Sequence, residues 1–316
     1  MRRTLGHDLL RHRLGLAGLA MVGLLIAFCV LGPILHPTDQ VHTNIALTNL
    51  GPSPRHPLGT DAEGYDELGR LMVGGRATLE IALAVAALAT LLGTLWGAVA
   101  GLAGGALDAL MMRIVDTLLA LPAIFVLIYL ATIVQPTVPL LIGVIALLSW
   151  LGPARLIRGE TLSLRTREFI EAARAMGAGR GRTIARHILP NTVGTLVVSA
   201  TFQVADAIIL LATLSFLGFG LAPPAATWGG MLYQGTSYLL DGYWWEVYPA
   251  GVLLMVTVIA FNLIGGALRD VLDGDAAGGD AAGGDGGGRL RRARTPAGPP
   301  APARSAASRA RSATSR

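Results

Sequence analysis

Few residues in this chain have the type and spacing to do chemistry. The six histidines, at positions 7, 12, 36, 42, 56 and 187, are scattered and show no metal-ligand spacing. The single cysteine, Cys29, lies inside an apolar run and has no partner for an intramolecular disulfide. HExxH, CxxC and GxSxG do not occur. All 25 basic residues are arginine. A Walker A loop needs a lysine to reach the phosphates, so ATP is not bound that way. No catalytic residue, metal or cofactor is therefore expected. Two kinds of candidate remain. One is the ionisable side chain inside an apolar run: Asp206 above all, and Asp116 one turn from Arg113, where a local ion pair is expected. The other is a long charged interruption between two apolar runs, EFIEAARAMGAGRGRTIARHILPN, Glu168 to Asn191.

That interruption begins as a short helix. Phe169, Ala172, Ala173 and Met176 follow the i, i+3, i+4, i+7 spacing and share one face. The two alanines keep the face shallow, so another surface can approach closely. Gly177 permits a left-handed exit. Arg180, Arg182 and Arg186 follow, and Pro190 marks the return to an apolar run. The residues alone allow two readings. One is a docking surface for a partner. The other is a helix on lipid headgroups with snorkelling arginines.

The elements that must position these candidates are apolar helices. The chain has 316 residues, 53% hydrophobic and 14% charged, with a mean hydropathy of +0.57. Soluble chains carry about 25% charged residues, so the low charge points to a membrane. About 20 apolar residues span a bilayer as a helix. Six such spans are expected, at about 14–35, 78–102, 109–133, 138–157, 192–216 and 248–267. The first is preceded by a basic start, as a signal peptide would be, but its length favours an uncleaved span. Pro136 and Pro139 divide the long run after residue 117 into two. Pro122 predicts a kink in the third span. Gly93, Gly97, Gly101 and Gly105 recur every four residues and predict close helix packing.

Arginine counting gives the sidedness. Four arginines precede the first span, and seven lie between Arg158 and Arg186. Both termini and the 158–190 loop are therefore expected in the cytoplasm. This placement also accounts for the net charge of +5 without a nucleic-acid partner. From Asp273 onward the chain turns to Gly, Ala and Asp, then to Arg, Pro and Ser. It has almost no large apolar residue and predicts no fixed structure. The expected organisation is a cytoplasmic N-terminus (1–13), a first span with an extracytoplasmic segment (14–75), a membrane core (76–272) and a tail (273–316).

A resemblance joins these parts. EAARAMG with Leu189 and Pro190 resembles the coupling-loop signature of ABC importer permeases, in which a short cytoplasmic helix fits a groove on the ATPase subunit. Carried over on that pattern are Glu171, Ala172, Ala173, Gly177, Leu189 and Pro190. HPLGTDAEGYDELGRLMVGGR (56–76), MRIVDTLLALPA (112–123), LSFLGFGLAPPAATWGGML (214–232) and FNLIGGALRDVLD (261–273) are similar to the C-type permease subunit of the dipeptide, oligopeptide and nickel importers. The likeness covers roughly residues 8–273. Two positions depart from it. His187 stands where the family often has isoleucine, and Leu211 where this branch often has glutamate.

The resemblance implies an all-α, six-span permease subunit that performs no covalent chemistry. It implies a second, related permease, two cytoplasmic ATPase subunits and an extracytoplasmic binding protein facing the outer segments 36–76 and 217–247. The cargo would be peptides or related small solutes, a nickel chelate among them. Asp206 and Ser215 are the candidates for the translocation pathway. Asp206 either contacts a cationic or polar substrate or is a structural carboxylate bonded to a neighbouring helix. A gradient-driven transporter with Asp206 and Asp116 as relay groups is the alternative, and it leaves the Glu171–Pro190 segment unexplained.

Overall fold

The computed structural model describes residues 12–133 and 135–284. The arginines at positions 2, 3 and 11 and the tail from 285 onward lie outside the described residues. The chain is helical, and among the described residues the only β pairing is an isolated bridge, Thr60 to Asp66. In chain order the helices are α1 Arg13–Leu35, α2 Glu67–Ala103, α3 Gly105–Leu119, α4 Ala123–Ile133, α5 Val138–Ser149, α6 Leu151–Leu164, α7 Glu168–Ala175, α8 Arg180–Thr183, α9 Leu189–Leu214, α10 Trp228–Thr236 and α11 Tyr248–Gly284.

Among the described residues four helical stretches are long and apolar enough to cross a membrane, and six if each of two bent pairs counts as one span. The bent pairs are α3 with α4, at 76°, and α5 with α6, at 43°. Each bend has a proline. Pro122 supplies no N–H and separates α3 from α4. Pro153, in the first turn of α6, leaves the carbonyl of Ser149 without its helical donor. The side-chain amide of Gln203, from α9, donates to that carbonyl instead.

Helix α2 is the centre of the bundle and packs on α1, α5, α6 and α9. It begins at Glu67, well before residue 78, because Asp66 caps it, accepting from the Gly69 N–H at 2.8 Å. The boundary drawn at 75/76 from the charge pattern therefore falls inside a helix. The glycine stripe of α2 packs on α6. A Cβ on Gly93 would stand 2.6 Å from Pro153, one on Gly101 would stand 2.7 Å from Thr161, and one on Gly97 would collide with the Ala154 carbonyl. Gly105 is not part of the stripe. It lies past the end of α2 at φ +57 and faces open space. Asp116 bonds Arg155 of α6 at 2.5 Å rather than Arg113, and Asp108 bonds Arg158 at 2.6 and 2.7 Å. Both pairs tie α3 to α6 instead of closing a turn of α3.

At the N-terminal end of α2 the charges that delimit the span are folded in. Arg70 is 1% exposed. It bonds Asp61 at 3.3 Å, donates to the Pro224 carbonyl at 3.0 Å and lies 4.1 Å over the Tyr65 ring. Trp228 and Trp245 clamp the 220–247 segment there, donating to the carbonyls of Leu71 and Thr60 at 2.9 and 3.2 Å. Burial pushes the Asp61 carboxyl up to about 6, although Arg70 and the Tyr65 N–H favour its charged form. At the other end of the sequence, α11 continues as helix to Gly284, past residue 273 where structure was expected to stop.

Candidate functional site

The segment Glu168 to Asn191 is built on the C-terminal end of α2. Helix α7 starts after a turn at Thr166, with Glu168 and Glu171 in its first turn, where negative charge suits the helix dipole. Ile170 is fully buried and packs with Leu102 of α2, Leu164 of α6, and Ile184 and Ile188. Ala173, one turn on, is 5% exposed. These two residues form the inner face. The outer face carries Phe169, Glu171, Ala172 and Met176, with Phe169 45% and Met176 82% exposed. The expected shallow face is therefore shifted by one position. Ala173 turns inward, and Ala172 is the small residue on the exposed face. Ile170 was missed from the sequence because a single isoleucine does not outweigh the Phe–Ala–Ala–Met spacing. The Ile184–Ile188 pair, at i, i+4, is the signal that would have found the anchor.

The exit from α7 is a helix stop of defined geometry. Gly177 has φ +86, and the Ala178 N–H bonds the Ala173 carbonyl at 3.0 Å. This six-to-one closure needs a left-handed residue at the glycine. A Cβ on Gly177 would meet nothing, so conformation rather than space selects glycine here. The chain then re-enters helix at α8. At Ile184–Ile188 the ladder widens into a π turn, with the Leu189 N–H reaching the Ile184 carbonyl. Pro190 follows directly. It has no N–H to continue the ordinary ladder, and a widened turn before it is the physical response. The Asn191 side chain donates to the His187 carbonyl at 2.6 Å. The structure thus brings Glu171, Ala172 and Gly177 to one exposed surface. Ala173 is buried beneath it, Leu189 is half-buried, and Pro190 lies exposed at the base of α9. The imidazole of His187 stands 6.4 Å from the Phe169 ring, so it borders the outer face.

Asp206 and Ser215 are not brought together. Asp206 lines a cavity of about 500 Å³ between α6, α9 and α11 at Arg269 and Leu272. Ser215 is buried, with an unbonded hydroxyl, beside a separate cavity of about 320 Å³ under the 220–234 segment. Leu211 is buried in the main core between them.

Together the helices and the supported surface segment define a polytopic all-α membrane protein. Residues 93–277 match the family described as the binding-protein-dependent transport system inner membrane component, and residues 3–52 match the N-terminal TM domain of oligopeptide transport permease C. The chain is 36% identical over 263 residues to the dipeptide transport system permease protein DppC of Bacillus subtilis, covering 83% of this chain and 82% of that one. It is 42% identical over 266 residues to a putative peptide permease protein of Brucella suis, covering 84% and 88%. It is 37% identical over 265 residues to the oligopeptide transport system permease protein OppC of Haemophilus influenzae, covering 83% and 85%. The chain belongs to the family of binding-protein-dependent transport system inner membrane components.

Proposed function

We propose that this chain is the C-type permease subunit of an ATP-driven peptide importer, forming half of the translocation pathway. A related permease supplies the other half. Two ATPase subunits dock from the cytoplasm, one of them on the outer face of α7, and an extracytoplasmic binding protein delivers substrate to the segments 36–76 and 217–247. Both termini and the 158–190 loop lie in the cytoplasm, as the arginine distribution favours. The printed names of the relatives support peptides as cargo. The observation that carries the coupling role is the two-sided build of α7. Its inner face, Ile170 and Ala173, is fixed to the end of α2, while Phe169, Glu171, Ala172 and Met176 stay exposed around a small residue. A helix fixed to α2 can transmit a push from outside the membrane into the bundle. It moves the pathway only to the extent that the ATPase binds one state better than the other.

The test is a cysteine cross-link. Cys29 is buried and is replaced by serine. Single cysteines are placed at Ala172 and Met176, and the candidate ATPase carries cysteines along its surface groove. A specific cross-link whose yield changes with nucleotide is expected. Inserted, assembled protein that cross-links at no groove position would return α7 to the lipid surface.

A further inference from the structure

The side of α9 that carries Thr195, Ser199 and Phe202 also carries Asp206, which is exposed. Among the described residues no hydrogen bond or ion pair reaches this carboxylate. A carboxylate turned to lipid at that depth is costly, so water or protein covers this side of the helix. The cavity beneath supplies the alternative to lipid. At about 500 Å³ it has room for a short peptide, and its walls are mixed: Asp206 and Ser199 on α9, with Glu160 and Arg269 toward the coupling end. Glu160 accepts from Thr195 at 3.2 Å and so belongs to the wall of the same groove. Thr195 and Asp206 lie about 16 Å apart along the helix, whereas an extended dipeptide or tripeptide reaches about 7–11 Å. The groove is therefore long enough to pass such a molecule from one polar station to another. Its upper station presents a lone carboxylate. Gln203, one turn from Asp206, is locked to the Ser149 carbonyl, which fixes the rotation of α9 that turns Asp206 into the groove.

We propose that this groove is a station on the translocation path, where Asp206 receives the ammonium group of a passing peptide. This rests on the peptide-permease reading above. Water reaches the groove in at least one state of the transport cycle, and the groove concentrates cations over anions.

The experiment uses the complete transporter in vesicles, with Cys29 replaced by serine and Ser199→Cys as the probe. Ser199 lies two turns from Asp206. The thiol is treated with a trimethylammonium-ethyl methanethiosulfonate and with its anionic sulfonate counterpart, each rate normalised to that reagent's rate with a free thiol. The cationic reagent is expected to win by about tenfold, from one charge at about 10 Å in a medium of intermediate dielectric. Asp206→Asn should remove that preference and Asp206→Glu retain it. Trialanine, added with the binding protein under turnover, should slow the labelling. Equal normalised rates would overturn the proposal, because no cation selection would exist. No labelling in any nucleotide state would overturn it too, because the partner permease would then seal the groove. ATP-driven uptake of trialanine by the same vesicles is measured alongside. If uptake proceeds while the groove fails these tests, the station falls and the permease reading stands. If no peptide is taken up, both fall.

Discussion

The side chain of Gln203 donates to the backbone carbonyl of Ser149, the carbonyl that Pro153 leaves without a helical partner. One amide thus closes the 43° bend between α5 and α6 and holds α9 against it. Gln203→Leu removes the donor and leaves a buried carbonyl unpaired. A loss of about 1–3 kcal/mol is expected. The measurement is the thermal inactivation midpoint of the purified transporter in detergent. An unchanged midpoint in Gln203→Leu would show that water satisfies this carbonyl.

The glycine stripe makes a graded prediction. Gly97→Ala places a methyl against the Ala154 carbonyl, a backbone atom that yields only if α2 and α6 separate. A cost of about 1–3 kcal/mol is expected, as for overpacking a tight core. Gly152→Ala adds the same methyl where nothing lies within 4 Å, so it should be near neutral. Comparing the folded yields of the two variants by fluorescence-detected size exclusion separates a contact effect from a general intolerance of bulk. Equal yields would mean that α2 and α6 are not in this contact in the membrane.

The sequence made some of this legible and hid the rest for identifiable reasons. Apolar runs of bilayer length located the helices, because only a closed hydrogen-bond ladder survives in lipid. Pro122 announced its bend for the same reason. The start of α2 was hidden. Reading a span by absence of charge assumes that Glu67 and Arg70 are solvated, whereas both are buried, Arg70 against Asp61, Tyr65 and the Pro224 carbonyl. Asp61 and Tyr65 come from the loop just before the helix, and Pro224 from a distant segment that no local pattern connects. Asp116 misled similarly: its nearest arginine in sequence is Arg113, but its partner is Arg155 on α6. In the coupling segment the helix and the Gly177 exit were legible. Its facing was not, because that depends on Leu102 and Ile188 lying beneath it.

The two faces of α7 should respond differently to substitution. Glu171→Lys reverses an exposed charge and leaves the anchor intact. It should weaken retention of the ATPase by about tenfold in pull-down from detergent, with the permease itself at normal yield. Ile170→Ala removes a fully buried side chain and should cost about 2–5 kcal/mol locally. It should show as faster proteolysis between α6 and α9 even without the ATPase. If Glu171→Lys also increased that proteolysis, its effect would be on folding and the outer face would lose its assignment as a docking surface.

Asp61 gives a pH dependence with a definite sign. Its carboxyl stands at about 6 in the fold, against an ordinary value near 4 for an unfolded aspartate. Between these values the folded chain holds more protons than the unfolded one. Stability contributed by this group therefore falls as pH rises from about 4 to about 6 and is flat above. The cost, complete above pH 6, is on the order of 3 kcal/mol if the unfolded value is ordinary. Asp61→Asn keeps a carbonyl oxygen for the Tyr65 and Glu63 N–H groups but loses the charge facing Arg70. The variant should lose the part of the slope between pH 4 and 6 that Asp61 contributes. Hydrogen exchange of the Tyr65 amide across this range reads the effect at the N-terminal end of α2, and the difference between the unchanged chain and the variant separates it from the neighbouring Glu63, Asp66, Glu67 and Glu246. Protection that instead rose with pH would show the Arg70 pair outweighing burial, and would place the Asp61 carboxyl below its ordinary value.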